Sequence, residues 1–360
     1  MSHVQARFPR WTSSAVAIAS VVVIILSSAN CRPLSAQVTT MPMPTADSGR
    51  PATQDSQMRM MMGAPLPFGI MIGRAEQWMA GYQIMNDRMS GLLEGTNSVS
   101  EARVLSRFAT TPTDMTMRTH MGMLMYAPTA RFTAMAMVPY VTMSMGELHR
   151  DGTRSTERSN GSGDVELRGL YSVRPGADMR HRILADFGVA LPTGSVNQRD
   201  AEGNRTEYPM QTGSGTYSLL PGIIYLGQTL PWSWGAELTS TVRMGTNEHG
   251  YRLGNTYDPG VWLARSLSGL VSVSAGATGE VRESIHGSDA LLDPTDEPTK
   301  DARLQGGKRV DASIGVTLPR RRILKGQQVL AQFDVPVAES LDGPQLKHSY
   351  MLHVAWQWAW

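Results

Sequence analysis

The chain has 360 residues, a formal net charge of +2 at pH 7 and a mean hydropathy of −0.22. This near-neutral balance supplies no bulk electrostatic attraction to nucleic acid. After residue 36 no apolar run approaches the ~18 residues that a transmembrane helix needs, which excludes such helices from the rest of the chain.

Residues 1–36 have the features of a secretory signal peptide. Two arginines precede the apolar stretch 15–26, and the small-residue sequence LSA, which ends at Ala36, provides a cleavage site. Two alternatives stay open. An uncleaved membrane anchor is disfavoured because the apolar stretch is short. Lipidation of Cys31, the only cysteine, is disfavoured by the asparagine that precedes it.

Residues 37–72 are rich in proline, serine, threonine and methionine, and they show no hydrophobic period. We interpret them as a flexible periplasmic segment. The remaining part, residues 73–360, has a regular pattern and is predicted to form the folded domain.

From Trp78 onward, segments of about 10 to 14 residues alternate apolar and polar side chains. The C-terminal stretch YMLHVAWQWAW shows this alternation most clearly. In a strand, alternate residues share one face. The apolar face here consists of Tyr350, Leu352, Val354, Trp356, Trp358 and Trp360. A wholly apolar face on the last strand predicts contact with lipid.

The connections between these segments alternate between short and long. The short ones are APTAR, RPGADM, GQTLP, LSG and PRRRILKG, and the long polar ones lie near 88–113, 146–163, 193–209 and 283–306. Outer-membrane barrels have short periplasmic turns and long outer loops. Several aromatic residues also lie near the short turns, where the aromatic girdle of such a barrel belongs.

These patterns predict an all-β fold, an up-and-down antiparallel transmembrane β-barrel of about 12 strands. The even number follows from placing both chain ends on the side of the short turns. The predicted location is the outer membrane of a Gram-negative-type bacterium. A secreted, soluble β-sandwich is the alternative, since its strands would alternate as well.

Ten charged residues alternate with the apolar residues and are predicted to line the lumen. They are Asp164, Glu166, Arg168, Arg182, Asp186, Glu237, Arg243, Arg309, Asp311 and Asp334. Because both signs occur, two interpretations stay open. The residues could set the selectivity of a channel, or they could form neutralising pairs that fill a narrow barrel.

Methionine is unusually frequent, with 24 residues. It recurs at alternate positions in two neighbouring predicted strands, MTMRTHMGMLMY and AMAMVPYVTMSM. Strand hydrophobicity alone directs these methionines to lipid, whereas the aromatic residues on the other face and the Val-Pro pair of the second strand direct them to the lumen. We predict the lumen. Thioether sulfur suits Cu(I), so Met121, Met123, Met135 and Met137 form a candidate metal site, with apolar filling as the alternative.

No catalytic motif is present. GxSxG, HExxH and CxxC are absent, and the histidines are scattered along the chain. Close carboxylates such as Asp164 and Glu166 have the spacing that strand alternation alone produces, so they do not indicate a glycosidase. The sequence therefore predicts no catalytic residues, no enzyme activity and no cofactor.

Five stretches resemble, in the same order, outer-membrane transporters of the MetA-pathway of phenol degradation family. They are GDVELRGLY (163–171), GVALPTGS (188–195), MQTGSGTYSLLPG (210–222), WSWGAE (232–237) and NEHGYRLGN (247–255). The resemblance implies an outer-membrane barrel that passes small solutes, aromatic or apolar ones among them. It carries over no functional residue. A non-conducting structural barrel, or a Cu(I)-binding one linked to copper handling, is the alternative function.

The expected partners follow from this interpretation. They are outer-membrane lipid, a small-molecule solute and the barrel-assembly machinery, which would contact the C-terminal Trp360. No nucleic acid is expected, because the basic stretch RRRILK is interpreted as a solvated periplasmic turn.

Overall fold

The computed structural model describes residues 75–173, 180–268, 271–318 and 326–360. The predicted signal peptide and the predicted periplasmic segment, residues 1–36 and 37–72, lie outside these ranges. Among the described residues, no helix has both the length and the apolarity needed to cross a membrane.

The described residues form sixteen strands with little other regular structure. In chain order the strands are β1 (Gln77–Gly95), β2 (Asn97–Val99), β3 (Thr110–Thr129), β4 (Phe132–His149), β5 (Arg154–Ser162), β6 (Val165–Ser172), β7 (His181–Leu191), β8 (Ser218–Leu219), β9 (Gly222–Thr229), β10 (Trp232–Arg243), β11 (Tyr251–Arg252), β12 (Thr256–Ser268), β13 (Val271–Arg282), β14 (His286–Gly287), β15 (Gly307–Leu318) and β16 (Gln327–Ala359). The helical elements are α1 (Glu101–Leu105) and the 3-10 turns Tyr208–Met210, Pro298–Lys300 and Ala302–Leu304.

Eleven long strands pair antiparallel and close into a barrel. Around the wall the order is β1, β3, β4, β6, β7, β9, β10, β12, β13, β15 and β16, and β16 pairs with β1. β16 contributes twice, because its first arm pairs with β15 and its second arm with β1. The amide of Ala359 donates to the carbonyl of Gly326 at 3.0 Å, so the two arms lie side by side. The wall therefore has twelve spanning segments, which confirms the prediction.

Side chains on the exterior of the barrel are apolar. From Tyr350 to the end of the second arm of β16, residues alternate strictly between exposed and buried. The exposed residues here and at the chain end are Tyr350, Leu352, Val354, Trp356, Trp358 and Trp360. Near the turn between β3 and β4, Trp78 stacks on Tyr126 with ring centroids 4.5 Å apart, as expected of an aromatic girdle. The exterior is that of an integral outer-membrane protein, as the sequence predicts.

The interior of the barrel is packed near this short-turn end. An apolar cluster consists of Leu170, Leu184, Ile224 and Leu226, with Met135 and Trp262 packed against it. Buried glutamines, among them Gln83, Gln332 and Gln357, project inward from β1 and β16. Small barrels fill their interiors with side chains, and this end of the barrel does the same.

Three long connections fold over the opposite end and form a cap, by which we mean residues 96–109, 192–217 and 283–306. One apolar cluster of the cap joins α1 to β1 and consists of Leu92, Val104 and Phe108. A second joins the cap to β11 and consists of Tyr208, Tyr251, Ile285, Leu292 and Ala302. Arg205 and Asp289 form a buried ion pair between two of the connections, with Nε and Oδ2 3.2 Å apart. The cap is thus a packed structure with its own apolar cores.

Two stretches predicted as loops are largely strand. In the predicted loop 88–113, β1 continues to Gly95, and the predicted loop 146–163 contains β5, which pairs with β4. The polar residues that suggested loops lie where the strands extend beyond the apolar exterior. Arg88 and Asp114, for example, form an ion pair of 2.8 Å and are about two-fifths exposed. The alternation changes there because the outer face of the extended sheet is polar.

The exterior can be tested with two equally exposed side chains. Ile314 of β15 is 65% exposed and Leu291 of the cap is 66% exposed. Ile314→Arg should lower the free energy of unfolding in lipid vesicles by roughly 2–4 kcal/mol, because arginine is then placed in hydrocarbon. Leu291→Arg should change it by less than about 0.5 kcal/mol, because that site faces water. Denaturant unfolding measures both values, and equal small effects would contradict a lipid-facing β15.

Candidate solute cavity beneath the cap

The alternating methionines lie on the inner face of the wall. β3 and β4 pair so that methionine is opposite methionine at four positions, Met115–Met145, Met117–Met143, Met123–Met137 and Met125–Met135. Near the cap a buried cluster contains Met115, Met143, Met145 and Met210, with Met89 and Met117 packed against it. Met210 belongs to the cap, so this cluster joins the cap to the wall. We use the name methionine sector for the methionines on the inner face of β1, β3 and β4, without Met210.

Charged residues occupy the neighbouring part of the inner face, on β13, β15 and β16. Arg309 contacts Asp311 of its own strand, with Nε and Oδ2 2.9 Å apart, and Glu280 of β13, with Nη2 and Oε2 3.1 Å apart. The ring of His348 lies 3.0 Å from a carboxylate oxygen of Asp87 on β1. We call this region the charged sector. Its opposite charges neutralise one another, which allows them to lie on a poorly hydrated inner face.

A cavity of about 420 Å³ lies between the two sectors and the cap. Its apolar lining includes Met85, Met89, Met115, Met117, Met145 and Met351. Its charged lining includes Asp87, Glu280, Arg282, Lys308, Arg309, Glu339 and His348. The cap contributes Pro209, Thr299 and Gln305, which cover the cavity. The volume falls within the range of pockets that take small organic molecules.

The two sectors offer different contacts to a solute. Methionine is unbranched and polarizable, so it adapts to irregular apolar surfaces and to aromatic rings. In the charged sector, Arg309 and Arg282 can donate hydrogen bonds, and Glu280 can accept one. Beside the charged sector, the sulfur of Met351 on β16 adds an apolar contact and lies 3.9 Å from Nη2 of Arg309. A molecule with an apolar body and one polar group can therefore contact both sectors.

Nine of the ten charged residues predicted to line the lumen lie on inward-facing positions of their strands. Arg168 contacts both Glu166 and Asp186, with N–O distances of 2.9 and 2.8 Å. Asp334 lies 3.1 Å from the ring of His353 in the other arm of β16. The remaining inward-facing members are Arg182, Glu237, Arg243, Arg309 and Asp311. Arg168, Arg309 and Asp334 thus belong to networks of neutralising pairs.

The tenth, Asp164, anchors the cap. It lies immediately before β6 and accepts hydrogen bonds from the backbone amides of Gly194 and Ser214, each 3.0 Å long. Both donors belong to the cap. β6 begins at Val165, so Asp164 lies before the strand in which residues alternate between the two faces.

The four methionines predicted to bind copper lie on the inner face, three of them toward the short-turn end. Met123 is opposite Met137, and Met121 is opposite a proline. Met123 and Met135 also pack against a buried apolar cluster around Met79. Apolar filling would produce this packing, and binding of Cu(I) by the four residues stays a prediction.

Sequence reasoning missed most of the cavity lining. Among the ten predicted lumen residues, only Arg309 lines the cavity. The alternation in GATGEVR, which puts Glu280 and Arg282 on its polar face, could have revealed two more. No signal in the sequence indicates that Pro209 and Thr299 of the cap cover the same cavity, because their positions depend on how the cap folds.

The closed barrel and its apolar exterior define an outer-membrane β-barrel protein. The fold is similar to that of an outer membrane channel from Pseudomonas putida F1, with a TM-score of 0.53 and 12% sequence identity. The alignment covers 83% of this chain and 98% of that chain. At this level of identity the similarity establishes the fold alone.

A second solved structure has a lower similarity. The toluene transporter TbuX from Ralstonia pickettii aligns over 83% of this chain and 92% of its own, with 12% identity and a TM-score of 0.38, which is too low to carry an argument. No family model matches the sequence, and no curated protein matches it either.

Loss of Arg309 tests whether the charged sector is desolvated. The Arg309 side chain is 12% exposed and contacts two carboxylates. Arg309→Leu should lower the free energy of unfolding by roughly 3–5 kcal/mol, because Glu280 and Asp311 lose their shared cation. Arg303→Leu removes an arginine that is paired with Asp301 but 82% exposed, and should leave stability nearly unchanged. Denaturant unfolding compares the two variants. Equal losses would show that the inner charges are as well hydrated as those of the surface.

Proposed function

We propose that the protein binds small solutes with an apolar body and one polar group, and passes them across the outer membrane. Phenols and aromatic carboxylates have this chemistry. The observation that carries the proposal is the cavity of about 420 Å³ with methionines on one sector and paired charges on the next. A hydrocarbon would form no hydrogen bond with the charged sector. A sugar would place its hydroxyl groups against the apolar methionine sector.

Passage would require movement within the barrel. The cap covers the cavity on one side, and packed side chains such as Leu184, Ile224 and Gln357 fill the interior on the other. We therefore infer a channel with a binding site that opens transiently, not a permanently water-filled pore. A barrel that binds solute without conducting it is the second candidate, and the packed short-turn end favours it.

Two similarities support the transport class. The Pseudomonas putida protein with the same fold is described as an outer membrane channel. The sequence also resembles transporters grouped with phenol degradation, which suggests the same solute chemistry. Nothing in these comparisons supports a copper-handling function.

Filling the cavity should abolish solute binding. Met85 of β1 lines the cavity, whereas Ile84 is on the opposite face of the same strand. Met85→Trp should weaken the binding of 4-hydroxybenzoate at least tenfold, because the indole occupies the space of the solute. Ile84→Trp places the same side chain outside the barrel and should leave the affinity unchanged. Isothermal titration calorimetry on the detergent-solubilised proteins measures both affinities.

Uptake into proteoliposomes separates the two candidate functions. The channel predicts faster uptake of labelled 4-hydroxybenzoate than of glucose, with the excess lost in Met85→Trp. Binding without uptake would favour the non-conducting barrel. If wild type binds neither 4-hydroxybenzoate nor toluene, the proposed solute class is wrong.

A further inference from the structure

Three glutamates from separate segments meet at the boundary of the barrel and the cap. Glu147 lies near the end of β4, Glu207 precedes the turn Tyr208–Met210, and Glu297 precedes the turn Pro298–Lys300. One carboxylate oxygen of each lies within 4.8 Å of the other two. Oxygens this close can share one ion, because two ligands of a Ca²⁺ ion lie at most about 4.8 Å apart, twice the Ca–O distance of about 2.4 Å.

These carboxylates are buried and short of hydrogen-bond donors. Glu207 and Glu297 are each 1% exposed. Apart from the other carboxyl groups of the cluster and the backbone amide of Glu207 itself, neither oxygen of Glu207 has a hydrogen-bond donor among the described residues, and one oxygen each of Glu147, Glu157 and Glu297 also lacks a donor outside the cluster. A buried carboxylate oxygen without a donor costs free energy, because it has given up its hydration. The cluster therefore needs a partner that supplies positive charge.

Neighbouring side chains supply too little of that charge. The ammonium of Lys300 lies 4.0 Å from Oε1 of Glu207, but it is also bonded to Asp296 at 2.6 Å. Burial, followed by repulsion from the neighbouring carboxylates, raises the pKa of Glu207 and of Glu297 to about 8. The same causes raise the pKa of Glu157 to about 9.

We propose that Glu147, Glu207 and Glu297 form a divalent-cation site, with Ca²⁺ as the ion. A set of carboxylate oxygens is the donor set that hard cations take, and a buried set suits Ca²⁺ better than Mg²⁺, which usually keeps several of its waters. Glu157 lies beside the three and can complete the ligand set. The site is separate from the methionine sector, whose soft sulfurs would not bind this ion.

A bound ion would fix the cover of the solute cavity. Pro209 and Thr299, which line the cavity, lie two residues after Glu207 and Glu297 respectively. The ion joins the hairpin of β4 and β5 to two connections of the cap, so it holds these cavity-lining residues against the barrel. Binding of the ion does not depend on the proposed solute function.

Calcium binding can be measured on the purified full-length protein in a non-ionic detergent, after treatment with EDTA and removal of the chelator. Titration with CaCl₂ should show about one ion bound per chain by calorimetry. The double variant Glu207→Gln, Glu297→Gln should bind at least tenfold more weakly. Glu202→Gln is the matched control, because Glu202 lies exposed in the same connection as Glu207 and should not affect binding.

Thermal unfolding gives a second readout. Calcium at about a hundred times its dissociation constant should raise the unfolding midpoint of wild type and of Glu202→Gln by roughly 5–10 °C. The double variant should show no such rise. If it fails to fold, the single variant Glu297→Gln takes its place.

Two results would overturn the site. One is a wild-type protein that shows neither calorimetric binding nor a rise in the midpoint. The other is a folded double variant that binds Ca²⁺ as tightly as wild type, since the ion would then lie elsewhere. If the wild-type protein binds Ca²⁺ but not 4-hydroxybenzoate, the result counts against the proposed solute function and leaves the calcium site standing.

Discussion

The hydrocarbon of a membrane offers no hydrogen-bond partner, so every backbone amide and carbonyl that lies in it must be paired within the protein. The barrel meets this constraint by closing on itself. β1 and the second arm of β16 complete the ring, and at its end the amide of Trp360 donates to the carbonyl of Trp78 at 3.1 Å. Once the backbone is paired all round, the two faces of the wall differ only in their side chains.

This division explains why the inside of the barrel looks as it does. Apolar side chains point outward to lipid, and the inner face takes methionines, small polar residues and charges of both signs. A charge on the inner face has little water around it, so it is stable only beside an opposite charge, as with Arg309 between Glu280 and Asp311. The cavity lies where these pairs meet the methionine sector, and residues of the cap line one side of it.

The sequence predicted the parts of the fold that depend on alternation. The barrel, its strand number, the outward face of β16 and the inward positions of residues such as Arg168 and Asp186 all follow from a period of two residues. The aromatic residues on the opposite face of the same strands also indicated that the methionines of β3 and β4 face the lumen. In each case the pattern repeats within a single strand, so it can be read locally.

The cap could not be predicted in this way, because its contacts join residues that are far apart in the chain. Glu147, Glu207 and Glu297 come from three separate segments, and no local pattern distinguishes them from other polar residues of long loops. Asp164 illustrates the same limit, since its partners Gly194 and Ser214 lie 30 and 50 residues further along. The parts of β1, β4 and β5 that extend beyond the membrane were predicted as loops. Their outer faces contact water instead of lipid, so they lack the outward apolar residues by which a strand is recognised.

We expect a solute with one apolar and one polar part to bind inside the barrel, between the two sectors. Anomalous diffraction from crystals soaked in 4-bromophenol would locate the bromine directly. The bromine peak should lie within the cavity, beside the methionine sector, and the electron density should place the phenol hydroxyl toward Arg309. Bromine peaks confined to the exterior of the barrel, with none beneath the cap, would contradict it.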